Sequence, residues 1–175
     1  MGASVKKWAF RLAATMLVVG LSIEGAHGET DAVTSARFVY AAMAHRHWLL
    51  AECSKVDPAR KGAYDDVRRS YDRGTKVLAE RVRLVITADQ RRSQPGISDA
   101  AALAGLDQWI ETVQNKTNHA MQSAQPGQFR EQCDFIANPA GRARYGVTRK
   151  RELGLIGLPT DEYPEHIKAI QQWRE

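Results

Sequence analysis

Apolar residues recur at helical spacing along most of the chain. Ala32, Ala36, Val39, Met43, Leu50 and Cys53 are separated by three, four or seven positions, which puts them on one face of a helix. His47 falls in the gap between Met43 and Leu50 and completes the stripe. Thr30 or Asp31 can cap this helix, which is expected to run to about Ser54 before Asp57-Pro58 breaks it. Asp57 can cap a second helix with Pro58 at its first position, reaching about Arg92. Its stripe is Tyr64, Val67, Tyr71, Gly74, Leu78, Val82 and Val85, the clearest periodicity in the chain. On the opposite face Asp65 precedes Arg69, and Asp72 precedes Lys76, by four residues, the favourable order for ion pairs along a helix.

Ser93-Gln94-Pro95-Gly96 reads as a loop. Ser98 then caps a third helix with Asp99 in its first turn, where the helix dipole favours an anion. Leu103, Leu106, Ile110, Val113, Thr117 and Ala120 or Met121 form its stripe, and it should end near Ala124. Pro126 opens a shorter fourth helix with Phe129, Cys133 and Ile136 on one face, closed by Asn138-Pro139-Ala140-Gly141. Gly146, Gly154, Gly157 and Pro159 punctuate the tail, while Leu153, Leu155, Ile156 and Leu158 form an apolar patch expected to fold back. Thr160 to Trp173 reads as a last short helix, Pro164 in its first turn and Ile167 and Ile170 facing inward. No window shows the alternation of a sheet. The expectation is an all-α protein: an antiparallel four-helix bundle-like domain over 29–141, then a basic linker and a short helix packing on the bundle over 142–175.

The first residues do not belong to that pattern. Lys6, Lys7 and Arg11 precede an apolar run from Leu12 to Ile23, and Ala26 and Gly28 are small residues two apart. This is the layout of a signal peptide cut after about residue 28. The apolar core is about a dozen residues, against the roughly 20 a membrane-spanning helix needs, so a retained anchor is the lesser reading. The mature chain would start near Glu29, be periplasmic or secreted, and carry no transmembrane segment.

Export changes how charge and cysteine are read. The whole chain is +5, but Lys6, Lys7, Arg11 and Glu24 leave with the leader, so the mature protein is +3. That is an ordinary solubility balance, not a nucleic-acid footprint. The charge is uneven: Arg60–Arg92 is rich in bases, Ser98–Asp134 is acidic, and Arg142, Arg144, Arg149, Lys150 and Arg151 form a run with no acid between them. Basic and acidic helices lying side by side would produce this. So would a basic patch for an anionic partner, such as an envelope polymer, lipid headgroups or an acidic protein face. The two cysteines, Cys53 and Cys133, sit in an oxidising compartment on this reading and are expected to pair. Such a bond would pin the first helix to the fourth, and closing so long a loop is worth roughly 4 kcal/mol before strain. No C-x-x-C occurs, which removes a thioredoxin-like role.

Chemistry-bearing motifs are sparse. His45 and His47 lie beside Met43, but two residues apart on a helix points the rings in diverging directions, so one metal cannot take both. His47 could still meet His119 or Met121 from the third helix. Covalent haem lacks its C-x-x-C-H, and Met43 with His119 is the one axial pair that can be constructed. Neither a Gly-x-Ser-x-Gly nor a glycine-rich phosphate loop is present, and the adjacent Asp65 and Asp66 diverge on a helix. The expectation is therefore a non-enzyme without cofactor or metal, binding a protein or an anionic envelope partner.

Ile86-Thr87-Ala88-Asp89-Gln90-Arg91 resembles the Leu-Thr-x-x-Gln motif of small periplasmic helical stress chaperones of the Spy and CpxP type. Thr87 and Gln90 have capping-box spacing. The resemblance implies a helical stress chaperone or metal-responsive protein as the alternative function. The string has Ile in place of Leu, occurs once rather than twice, and is followed by Pro95 where that motif starts a helix.

Overall fold

The computed structural model describes residues 29–124, 126–138 and 158–174. About 90% of these are helical and none is in a strand, so the protein is all-α over the described residues. The elements are α1 (Glu29–Val56), a 3-10 turn (Pro58–Arg60), α2 (Lys61–Ser93), α3 (Asp99–Ala124), α4 (Pro126–Ala137), α5 (Pro159–Glu162) and α6 (Pro164–Gln172). The expected leader over 1–28 lies outside the described residues, as do the apolar positions Leu153, Leu155 and Ile156. Among the described residues no helix is long and apolar enough to cross a membrane.

The helix boundaries follow local chemistry, with two departures. Ser98 caps α3 as expected: its Oγ accepts from the Ala101 N–H at 3.2 Å. Asp57 does not cap α2, because the proline after it opens a 3-10 turn and the Asp57 carboxylate goes to the Arg60 guanidinium instead. The expected last helix is in two pieces. Pro164 offers no N–H and disfavours helical backbone at the residue before it, so Tyr163 takes φ −134°, ψ 53° and separates α5 from α6.

Contacts between helices fix their directions. Arg37 pairs with Asp89 at 2.8 Å, and His47 lies 3.3 Å from Asp72, so α1 and α2 run antiparallel. Arg46 pairs with Glu162 and Ser35 meets His166, so α5–α6 runs antiparallel to α1. Two buried clusters result. The larger joins Ala36, Val39 and Met43 of α1 to Tyr71, Val82, Val85 and Ile86 of α2 and to Ile167, Ile170 and Trp173 at the C-terminus. The smaller joins Leu49, Leu50 and Cys53 of α1 to Tyr64 of α2 and Phe129, Cys133 and Ile136 of α4. The stripes expected on α1, α2 and α4 are the faces that pack. On α3, Ile110 is buried, but Leu103 and Leu106 only lean on the edge of the larger cluster.

Two surface expectations need correction. The α1 stripe is completed by Arg46, 7% exposed, and not by His47. On α2, Asp65 pairs with Lys61 at 2.7 Å, Arg69 pairs with Asp66, and Asp72 faces His47. The i, i+4 pairs Asp65–Arg69 and Asp72–Lys76 are therefore not the ones made. Lys61, one turn upstream, and α1 across the groove reach those carboxylates instead.

Candidate functional site

The basic run Arg142, Arg144, Arg149, Lys150 and Arg151 lies outside the described residues. What the structure does present is the outward face of α2. With α1 and the C-terminal segment on its other side, α2 leaves Arg73, Lys76, Val77, Glu80, Arg83 and Leu84 exposed within one sector of the helix, three cations against one acid. Val77 is 77% exposed and Leu84 37%, so aliphatic carbon sits in water between cations. Among the described residues neither Arg73 nor Lys76 has an ion-pair partner. A second basic feature, a shallow groove of about 320 Å³, is lined by Ser54, Lys55, Lys61, Asp65 and Arg68 among others. Its cations are already engaged: Lys55 holds Glu52 at 2.5 Å, Lys61 holds Asp65, and Arg68 lies 3.9 Å from that same carboxylate.

The histidines separate as helical geometry demands. His45 stacks on Trp48 with centroids 5.4 Å apart, and burial, followed by the neighbouring Arg46 charge, pushes its imidazole down to about 4. His47 turns to Asp72 and meets the edge of Tyr71 at 5.9 Å, while Met43 is enclosed in the larger core cluster. The three do not converge. The side chains of His119 and Met121 lie outside those described. Among the described residues no group of three or more His, Cys, Asp or Glu is placed to hold a metal ion.

Cys53 and Cys133 form a disulfide with their Cα atoms 5.3 Å apart, cross-linking α1 to α4. The Tyr64 hydroxyl donates to the Cys133 carbonyl at 3.3 Å, so α2 is tied to the same point. Burial raises the pKa of that hydroxyl further above its ordinary value. Thr87 does not cap a helix. It is buried inside α2, its hydroxyl donating back to the Leu84 carbonyl at 3.2 Å, and the helix continues to Ser93. The six-residue string is therefore the end of a core helix, not the start of a new one.

Pattern reading missed the polar seat of the C-terminal segment. Arg46 and Glu162 pair at 2.5 Å, close to Tyr71 and Tyr163. Burial, ahead of the Glu162 charge, pushes Tyr71 up to about 12 and raises Tyr163 as well. Ser35 Oγ lies 3.0 Å from His166 Nδ1, and Phe38 stacks on the His166 ring at 4.5 Å. This serine–histidine contact does not present a nucleophile, since Ser35 is only 1% exposed and sealed under α6. Arg46 and His47 fit the stripe equally well, being three and four residues after Met43, so spacing could not choose between them. Only the position of Glu162, more than a hundred residues away, does so. Compared with known proteins, the chain matches no family model, no curated protein and no solved structure.

Proposed function

We propose that the chain is an exported, non-enzymatic helical protein that binds an acidic protein or anionic envelope component. In this reading residues 1–28 are a removable leader. Residues 29–141 form an antiparallel four-helix bundle-like domain, and the protein works in the periplasm or outside the cell. The carrying observation is the outward face of α2, where Arg73, Lys76 and Arg83 surround exposed Val77 and Leu84. The three cations outnumber Glu80, the acid exposed in the same sector, so the face keeps a net positive charge that attracts an anionic surface, and the aliphatic carbon between them adds area that is removed from water on contact. The run from Arg142 to Arg151 adds charge of the same sign. The disulfide suits an oxidising compartment. The stress-chaperone alternative rests on the Ile86–Arg91 string, which lies in the last turns of α2 with Thr87 buried and bonded back to Leu84.

The test is cross-linking of the tagged full chain in its own envelope, followed by identification of what is captured. Capture should weaken with added salt and fall at least tenfold in Arg73→Glu/Lys76→Glu. Capture of nothing, or capture indifferent to both changes, refutes the reading. Mass analysis of the recovered protein should find an N-terminus near Glu29; an intact Met1 would remove the export claim.

A further inference from the structure

The C-terminal segment lies on α1 and α2 as a bound helix would. Ile167, Ile170 and Trp173 enter the larger core cluster, and Leu158 packs on the surface left open at Gly74. The polar anchors lie along the same seat. Glu162 reaches the buried Arg46 guanidinium, and His166 meets Ser35. Arg81 holds the far end: its guanidinium carbon is 5.2 Å from the Trp173 ring centroid, and it donates to the carbonyls of Ile170 (3.3 Å) and Trp173. The recognised pattern is an acid followed by apolar residues five, eight and eleven positions later, read by a groove that offers one cation at each end.

This seat is less secure than the rest of the interior. It takes a half-buried ion pair partly out of water, which costs desolvation that offsets much of the attraction. Trp173 Nε1 is buried without a hydrogen-bond partner among the described residues, a further penalty on the same element. The smaller cluster, by contrast, is closed covalently by Cys53–Cys133. Opening can therefore be local: α5–α6 leaves while the disulfide end holds α1 to α4.

We propose that the α1–α2 groove is a helix-binding site that the chain occupies in cis, and that once open it takes an acidic amphipathic helix of a partner protein. Charge complementarity selects that occupant, since the groove presents Arg46 and Arg81 and its present occupant answers with Glu162 and two helix-end carbonyls. The proposal rests on the partner-binding reading above and adds a second contact for that partner, on the side of α2 opposite Arg73 and Lys76. Affinity for the partner is reduced by the fraction of time the groove is closed, so weakening the internal segment strengthens external binding.

The probe is a fluorescein-labelled peptide with the sequence of residues 158–174, titrated into the oxidised full chain. Glu162→Ala/Ile170→Ala opens the groove without altering it, and should bind the peptide at least tenfold more tightly than the unsubstituted chain. Arg46→Ala in that background should return binding to the starting level, and a scrambled peptide should not bind. Equal weak binding by both chains overturns the proposal. So does a concentration-dependent dimer of the double variant that excludes the peptide, because a second copy is then the occupant. Should the variant not fold, hydrogen exchange on the unsubstituted chain decides. Amides of 166–172 exchanging at least tenfold faster than those of 82–88 support a segment that opens by itself, and equal protection refutes it. Envelope capture with no peptide binding refutes the groove alone; peptide binding with no envelope capture refutes the broader reading and leaves the groove.

Discussion

The Arg46–Glu162 pair makes a quantitative prediction that a simple count of contacts would not. Arg46 is 8% exposed at its side chain and Glu162 24%, with nitrogen and oxygen 2.5 Å apart. For charge centres about 4 Å apart at an effective dielectric of about 20, the attraction is about 4 kcal/mol. Water reaching the Glu162 side screens part of this, so Glu162→Gln, which keeps the shape and removes the charge, should cost about 2–3 kcal/mol. In a domain of this size that lowers the melting temperature by roughly 6–9 °C. Replacing both partners with apolar residues, Arg46→Met/Glu162→Leu, should leave stability within about 1 kcal/mol of the original, because no unpaired charge then remains buried. Urea unfolding of the original, Arg46→Met, Glu162→Leu and the double variant closes the cycle, and the coupling should be at least about 2 kcal/mol. A Glu162→Gln variant within about 0.5 kcal/mol of the original, or a double variant that loses the sum of the singles, would refute the reasoning.

Three further outcomes are expected. Replacing Cys53 and Cys133 with Ala opens a loop of 80 residues and should lower the unfolding free energy by about 4 kcal/mol in the chain-entropy estimate, read as a shift of the urea midpoint; a loss below about 1 kcal/mol would contradict it. The His45 imidazole is held down to about 4 in the folded chain against about 6.5 unfolded, so the unfolded state binds the extra proton first as pH falls. Stability is then fully present above about pH 6.5 and falls toward pH 4, by about 3 kcal/mol at most, and His45→Gln should flatten that slope in urea midpoints taken across the range. Gly74→Ala should be neutral or stabilising by up to about 1 kcal/mol: helix propensity improves, and the new Cβ, 2.9 Å from Leu158 Cδ2, displaces only the end of a flexible side chain. A loss above about 1 kcal/mol in thermal unfolding would count against that packing.

The amino-acid order by itself determined the local terms. The three- and four-residue spacing of the stripe from Tyr64 through Tyr71 and Val82 to Val85 defined which side of α2 is hidden, and Ser98 set where α3 begins, because periodicity and capping act within a few residues. Phe129, Cys133 and Ile136 could be read as one buried face for the same reason. Tertiary structure alone decided between residues that local rules treat alike. Arg46, and not His47, lies inward because Glu162 arrives opposite it, and Asp72 faces α1 rather than Lys76 because His47 is nearer in space than in sequence. Thr87 had the spacing of a cap and lies in mid-helix, since the packing of Ile86 and Ala88 carries α2 past it. Long-range electrostatics and packing depend on which elements meet, and a one-dimensional pattern with a period of 3.6 residues holds no record of that.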